Sequence, residues 1–220
     1  MTDPLDRRAP RESSEAYRRL LERLDAWAAE ARERSPGVIP CRAGCSACCH
    51  GPFDISVADA ELVRDAVEGL PEETRAAARQ RAEQSMERLR ALAPDWTAPY
   101  DVADLGDIQF DEMVASLATE PCPMLDRSGS CLIYADRPLV CRLIGLSMIT
   151  PIGRLIENSC PIQSQFPAYA ALPPQPFDLE CLELVELEAL QGAARRLFGT
   201  TDRLDYETTV ASAALLPPSK

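Results

Sequence analysis

The sequence predicts a mainly α protein whose helices surround a small, irregular, cysteine-rich metal-binding region that contains a short hairpin. Two observations predict this class. Three stretches before residue 94 carry apolar residues at helical spacing and end at proline or glycine. Four of the nine cysteines fall within one short segment, Cys41-Arg-Ala-Gly-Cys45-Ser-Ala-Cys48-Cys49. Thiols spaced this closely are typical of ligands to zinc or to iron–sulfur clusters.

Local signals set the limits of the first three helices. The predicted spans are 11–34, 57–69 and 71–93. The first stops at Ser35-Pro36-Gly37, and the second has Ser56 as its N-cap and Asp59 in its first turn. The third opens with Pro71 and carries acidic residues at its start and arginines at its end, as the helix dipole favours.

The second group of cysteines lies among shorter elements. The block from Cys122 to Tyr134 is predicted to form two short segments joined by a turn, where Ser128-Gly129 supplies the positive φ. Arg137-Pro138 begins a short helix that carries Cys141 and Arg142. In the first group, Cys45, Cys48 and Cys49 would share one face if a helical turn forms there.

The remaining elements complete the predicted order. A short helix is expected over 111–118, and a hairpin over 146–157 is expected to deliver Cys160 to the cysteine cluster. A proline-rich connector then leads to a last helix over 178–198. The tail beyond residue 202 is expected to be extended or frayed.

These elements divide the chain into three segments within one compact unit. They are an N-terminal helix (1–38), a cysteine-cluster metal-binding domain with inserted helices (39–161), and a C-terminal connector, helix and tail (162–220). A chain of 220 residues with 46% apolar content is long enough to bury a core of this kind.

Charge and hydropathy exclude several classes of function. A net charge of -12 argues against general nucleic-acid binding, because phosphate contacts need clustered positive surface. The chain has no apolar run long enough to cross a membrane, and its first residues lack a secretory signal, so a cytoplasmic protein is expected. A reducing cytosol keeps thiols free for metal, which favours ligand cysteines over disulfides.

The two cysteine blocks together resemble a known family. The first block is Cys41-x3-Cys45-x2-Cys48-Cys49, and the second is Cys122-Pro-x-Leu-Asp-x-x-Gly-x-Cys131-x-Ile-Tyr-x-x-Arg-Pro-x-x-Cys141-Arg. This pattern is similar to that of the CxxCxxCC family, the YkgJ-like zinc- or iron-chelating proteins. Flagellin lysine N-methylases contain a similar cysteine cluster. The resemblance spans about residues 41–161, although the family name implies two residues between the first two cysteines where this chain has three.

The resemblance implies chelation of a metal ion, with zinc and iron both left open. A 4Fe-4S cluster is one form in which the thiolates would hold iron. The resemblance implies eight candidate ligands, namely Cys41, Cys45, Cys48, Cys49, Cys122, Cys131, Cys141 and Cys160. Cys181 lies outside the pattern and is expected to be a small buried side chain of the last helix. Eight thiols suffice for one site with spares or for two four-ligand sites, and the sequence leaves both open.

Arginines near the cysteines are candidates to stabilise the bound metal. Four thiolates around one zinc ion leave a net charge of about −2, which a partly buried site must offset with positive charge or hydrogen bonds. Arg42, Arg137 and Arg142 lie within or beside the cysteine blocks, and Arg142 directly follows a candidate ligand. The alternative for all three is to cap helices or remain solvated.

Three other residues close to the cysteines have both a functional and a plain interpretation. Tyr134 offers its hydroxyl to a thiolate or packs as an aromatic side chain. His50, the only histidine, would complete a mixed sulfur and nitrogen site or lies exposed in its turn. Asp126 is expected to form a turn rather than to bind metal.

The sequence leaves the type of function open. The leading hypothesis is a metal-binding protein in which both cysteine blocks chelate zinc or iron. One alternative is an iron-dependent redox or modification enzyme related to flagellin lysine N-methylase, and another is a metal-stapled scaffold for a protein partner. The spacing of Cys41, Cys45 and Cys48 also occurs in radical S-adenosylmethionine enzymes, but their strand–helix barrel is not predicted here.

Overall fold

The structure, a computed structural model, describes residues 9–42 and 44–218, and for residues 9–13 and 179–184 it describes the backbone alone. The helices are α1 (Ala9–Arg34), α2 (Val57–Glu68), α3 (Glu72–Leu92), α4 (Asp107–Ser116), α5 (Leu139–Leu143), α6 (Pro167–Ala170), α7 (Leu179–Phe198) and α8 (Val210–Ala214). The strands are β1 (Asp54–Ser56), β2 (Met148–Ile149), β3 (Leu155–Ile156), β4 (Gln175–Pro176) and β5 (Glu207–Thr209). With about 51% helix and only short strands, the expected mainly α class is confirmed.

Helix α1 buries the apolar face that its sequence predicts. The buried residues recur at helical spacing and are Tyr17, Leu20, Leu21, Leu24, Trp27, Ala28 and Ala31. This face packs against α7 and α5. Each buried leucine contributes about 2 kcal/mol to the stability of the fold. Helix α1 is therefore stably packed, and α5, which carries Cys141, packs against it.

Helices α2 and α3 begin and end as predicted, to within one residue. The Ser56 hydroxyl accepts a hydrogen bond from the Asp59 N–H at the start of α2. Helix α3 follows Pro71 without a side-chain cap and ends before Pro94. Helix α2 is central, because it packs against both α7 and α8 and buries residues along most of its length. None of the helices in the described ranges is long and apolar enough to cross a membrane.

The expectation of an extended or frayed tail beyond residue 202 is wrong. Strand β5 pairs antiparallel with β1, and α8 follows directly and packs against α2 and α3. Tyr206 and Thr208 are fully buried, and the Thr209 hydroxyl caps α8 by accepting from the Ser212 N–H. The physical reason is that buried and exposed residues alternate at the start of this segment, and a run of small, mostly apolar residues follows. Its Val210 reaches the wall of the cysteine cavity described below.

The irregular region between the helices contains the elements expected there, with shifted limits. Strands β2 and β3 form the predicted antiparallel hairpin, and β4 adds a parallel third strand. The short helix expected over 111–118 begins earlier, as α4. The segment from Cys45 to Cys49 forms turns rather than a helical turn, with the Cys49 N–H donating to the Ser46 carbonyl oxygen at 3.0 Å.

We expect the C-terminal segment to be required for folding. Ending the chain after Tyr206 removes β5 and α8, which uncovers buried apolar surface on α2 and α3, including Met86, whose sulfur accepts a hydrogen bond from the Thr209 hydroxyl. The loss should amount to several kcal/mol of unfolding free energy. Urea unfolding followed by circular dichroism would measure it. A chain ended after Leu216 keeps both elements and is the control; equal stability of the two truncated chains would contradict the expectation.

Candidate metal centre

One cavity collects most of the predicted ligands. It has a volume of about 70 Å³ and lies where the loops of both cysteine blocks meet α1 and α5. Seven cysteines line it, namely Cys41, Cys45, Cys48, Cys49, Cys122, Cys131 and Cys141. Apolar side chains, among them Ile39, Phe53, Met124 and Leu146, form much of the remaining wall. The cavity therefore gathers soft sulfur donors in apolar surroundings, with space for a few water-sized groups.

Backbone hydrogen bonds join the two cysteine blocks. The Cys122 N–H donates to the Cys49 carbonyl oxygen at 2.9 Å. Within the second block, Leu125 pairs with Cys131 across the predicted turn, which Gly129 closes at a φ of 80°. The Leu125 N–H in turn donates to the Cys122 carbonyl oxygen at 3.0 Å. Cys49, Cys122 and Cys131 are therefore held together by the main chain.

The position of Cys141 depends on a buried carboxylate. Asp59 Oδ1 accepts hydrogen bonds from the Leu139 N–H at 3.0 Å and from the Tyr17 hydroxyl at 2.9 Å. Leu139 is the first residue of α5, so Asp59 satisfies a backbone donor at the start of the helix that carries Cys141. Burial raises the pKa of Asp59 to about 6, against the effect of these two hydrogen bonds.

Cys160 is not among the residues that line this cavity, and it lies beside Tyr169, which does line it. Gln163 connects the two residues, because its Oε1 accepts from the Cys160 N–H at 3.1 Å and its Nε2 donates to the Tyr169 carbonyl oxygen at 3.4 Å. The buried Tyr169 hydroxyl donates to the Gly145 carbonyl oxygen. Tyr169 falls in the proline-rich connector, and no pattern in the sequence marks it as part of the site.

The pKa values of the adjacent thiols of Cys48 and Cys49 are shifted in opposite directions. A hydrogen bond from the Cys49 thiol lowers the pKa of Cys48 to about 7, and the positive charge of Arg137 acts in the same direction. The same hydrogen bond, together with burial, raises the pKa of Cys49 far above its usual range. Cys48 is therefore the thiol of this pair that ionises first.

Burial opposes ionisation of most other thiols. It raises the pKa of Cys122 to about 12, and it also raises those of Cys41, Cys131 and Cys141. These thiols keep their protons at neutral pH without a metal. Since only the thiolate binds metal, binding in this cavity must release protons.

Three arginines place positive charge against these thiols. Their charges oppose the effect of burial on the pKa of the thiols. Arg32 acts in this way on Cys41, Arg81 acts on Cys122, and Arg137 acts on Cys48 and Cys131. Two of their donors, Arg137 Nε and Arg81 Nη2, are buried without a hydrogen-bond partner. An unsatisfied buried donor is costly, and an anionic thiolate is the partner that suits it. Arg137 was predicted from the sequence, whereas Arg32 and Arg81 lie on helices outside the cysteine blocks.

The other arginines and Tyr134 have different surroundings. The buried Arg142 donates to Asp25 and to the carbonyl oxygens of Leu21, Ala135 and Arg137. Its guanidinium is thus engaged in attaching α5 to α1. Arg42 and Tyr134 both line the cavity. Arg42 is exposed, and the Tyr134 ring lies under the Arg137 guanidinium, 4.2 Å from ring centroid to Cζ.

Three residues considered at the sequence level lie elsewhere. His50 is exposed and faces a separate groove between α3 and the second cysteine block. Asp126 forms the expected turn, since its carboxylate accepts from the Ser128 hydroxyl and from the N–H groups of Ser128 and Ser130. The side chain of Cys181 lies outside the described residues.

The donor set fits zinc or iron in chemistry, although the side chains do not yet form a closed ligand set. The eight candidate cysteines are free thiols. Among the side chains that the structure describes, those of residues 14–42, 44–178 and 185–218, no three His, Cys, Asp or Glu side chains converge on one metal position. Soft donors and the unpartnered Nε donor of Arg137 nevertheless meet at one cavity. A cysteine sulfur moves with the single torsion χ1, so a rotamer change repositions it without a change in the backbone.

Comparison with known proteins agrees with this chemistry. Residues 40–161 match the model of the CxxCxxCC family, described as a "putative zinc- or iron-chelating domain". The matched range contains all eight candidate ligands. No curated protein and no solved structure gives a significant match to the chain.

We expect Asp59→Ala to destabilise the protein by about 2 kcal/mol or more, because two buried donors, on Tyr17 and Leu139, lose their acceptor. Asp59→Asn keeps an acceptor oxygen and should lose less. Urea unfolding at one metal concentration would measure both variants. An alanine variant as stable as the asparagine variant would contradict the role of this carboxylate.

The stability of the wild type and that of the Asp59→Asn variant should depend differently on pH. The pKa of Asp59 in the folded protein, about 6, lies above the usual aspartate value of 3.8, with burial as the largest cause. The protonated Asp59 carboxyl group therefore contributes to the stability of the wild type below about pH 4. This contribution is lost as the pH rises through 6. Asparagine does not titrate, so the asparagine variant should gain stability relative to wild type between pH 4.5 and pH 7.5. No relative change would contradict the raised pKa.

Proposed function

Because the chain belongs to the CxxCxxCC family, we propose that it is a metal-binding protein that holds zinc or iron through thiolates from both cysteine blocks. The observation that carries the proposal is the single cavity lined by seven cysteines that come from segments far apart in the sequence. Thiolates bind zinc and iron far more readily than they bind magnesium or calcium. The donor set therefore limits the metal to soft or borderline ions.

The candidate ligands are the eight cysteines of the family pattern, and the nearby arginines have a supporting role. A zinc ion with four thiolates carries a net charge of about −2, which apolar surroundings do not tolerate alone. Arg137 and Arg81 each bring a buried donor without a partner, and Arg32 donates through Nε to the Cys41 carbonyl oxygen at 3.2 Å. These side chains would donate to the thiolates and offset their charge.

The proposed role of the metal is to organise the irregular region. The loops that carry the cysteines have little regular secondary structure. In such segments the free energy of metal binding is largely free energy of folding. Free thiols of this number persist in a reducing compartment, so we place the protein in the cytosol.

Zinc and iron differ in a property that is simple to measure. An iron–sulfur cluster, such as a 4Fe-4S cluster, absorbs visible light at about 400 nm, whereas zinc with four thiolates is colourless. Metal analysis and the visible spectrum of protein purified without oxygen therefore identify the metal. Protein that contains neither metal, and that binds neither when it is added, would contradict the proposal.

We expect the thiols to become reactive only when the metal is removed. Bound thiolates react poorly with bulky alkylating reagents, and a chelator should expose most of the eight family cysteines. Intact mass, measured before and after chelation under anaerobic conditions, counts the modified residues. If the count does not rise, and pairs of thiols appear only after reduction, the cysteines form disulfides and do not bind metal.

Substitution of one cysteine from either block should lower the metal content. Cys48→Ser and Cys141→Ser each remove a cavity-lining thiol, so the metal-to-protein ratio should fall to about half or less. Cys181→Ser is the matched control, because this residue lies beyond the family match at 40–161, and it should bind as much metal as wild type. A loss of metal in the control, with none in Cys141→Ser, would refute the ligand assignment.

A further inference from the structure

We propose that the groove between α3 and the second cysteine block binds an extended, acidic peptide segment of another protein. The groove has a volume of about 660 Å³, and His50 lies on its wall. It is a different space from the cavity between the cysteines, although Cys122 borders both. Binding of such a segment does not require a metal in the cysteine cavity.

The shape of the groove fits a short extended chain. One wall is a single face of α3, and the residues that form it recur at helical spacing, namely Ala77, Gln80, Arg81, Gln84, Ser85 and Arg88. A helix rises by about 16 Å between Ala77 and Arg88, because each residue adds about 1.5 Å. An extended peptide covers this distance with about five residues.

The charge of the groove is opposite to that of the whole chain. The chain has a net charge of -12, whereas the groove is bordered by two carboxylates and by three arginines, Arg81, Arg88 and Arg127. Both carboxylates are already engaged. Asp126 accepts hydrogen bonds within its own turn, and Glu120 pairs with Arg88 at 3.0 Å. The groove therefore has an excess of positive charge, which attracts carboxylates.

The arginines can take up a ligand carboxylate at small cost. Arg127 is exposed on the wall that the second cysteine block forms. The pair of Arg88 with Glu120 is also partly exposed, with 45% and 38% of the two side chains accessible, so exchange of Glu120 for another carboxylate costs little. Arg81 is fixed in the wall, because its Nε donates to the Pro123 carbonyl oxygen at 2.9 Å. A side chain fixed in this way loses little freedom when a ligand binds.

The neutral residues of the groove favour a peptide over a nucleic acid. Gln80 and Gln84 lie one turn apart on α3 and are both exposed. Each side-chain amide can donate to and accept from the peptide groups of an extended chain. Among the described residues that line the groove there is no phenylalanine, tyrosine or tryptophan, so unpaired bases would find no aromatic side chain on which to stack.

The test is a fluorescence-anisotropy titration of a fluorescein-labelled hexaglutamate peptide with the protein as purified, at about 0.15 M salt. We expect saturable binding that unlabelled hexaglutamate displaces and a hexathymidylate oligonucleotide does not. The net charge of -12 alone predicts no binding of an acidic probe, so binding requires a local basic site. No binding at protein concentrations up to about 1 mM, or stronger binding of the oligonucleotide, would overturn the inference.

Variants show whether the peptide lies in the groove. Arg88→Ala and Arg127→Ala should each weaken binding about fivefold or more, because each removes a guanidinium. Arg90→Ala is the matched control and should change the affinity less than about twofold, since Arg90 lies on the same helix outside the groove and donates to the Tyr100 hydroxyl. Glu120→Gln removes the carboxylate that competes for Arg88 and should strengthen binding about threefold, a gain that a misfolded variant would not show. Weaker binding by Glu120→Gln, or equal effects of Arg88→Ala and Arg90→Ala, would place the peptide elsewhere and overturn the inference.

Discussion

Two carboxylates on helices hold the segment over 137–142, and the cysteine cavity depends on this attachment. Asp59 on α2 accepts from the first N–H of α5. Asp25 on α1 forms ion pairs with both Arg137 and Arg142. The start of α5 and the two arginines are thereby fixed against α1 and α2, because hydrogen bonds to charged groups are stronger than those between neutral groups. Cys141 gains a defined position, and Arg137 is aimed at the thiols.

The burial of the thiols also raises the free-energy cost of binding a metal. Apolar walls raise the pKa of most cavity thiols, so the metal-free state is largely neutral and its sulfur atoms do not repel each other. A metal must displace those protons before it binds. Only ions with a strong preference for sulfur overcome this cost, which favours zinc or iron over the harder and more abundant cations. The arginines reduce the cost by stabilising the thiolate form.

Local patterns predicted the helices and the cysteine blocks, whereas contacts between distant segments were not predictable. Helices α1 to α3 follow from apolar periodicity, the Ser56 cap and Pro71, all of which act over a few residues. The pairing of β1 with β5 joins two three-residue strands from opposite halves of the chain, and such short strands carry no usable periodicity. Arg81 was missed for the same reason, since only the packing of α3 brings it beside Cys122.

Gly145 shows how the segment between α5 and β2 is adapted to the site. Its φ of 96° suits glycine, and an added Cβ would collide with the Tyr169 hydroxyl while lying 3.4 Å from the Cβ of Cys160. A close approach of the backbone to the tyrosine is therefore what allows the hydroxyl to reach the Gly145 carbonyl oxygen. Through Gln163 the same contact sets the position of Cys160. The cysteine farthest along the family pattern is thus held beside Tyr169 by side-chain contacts, while Cys49 and Cys122 are joined by the main chain.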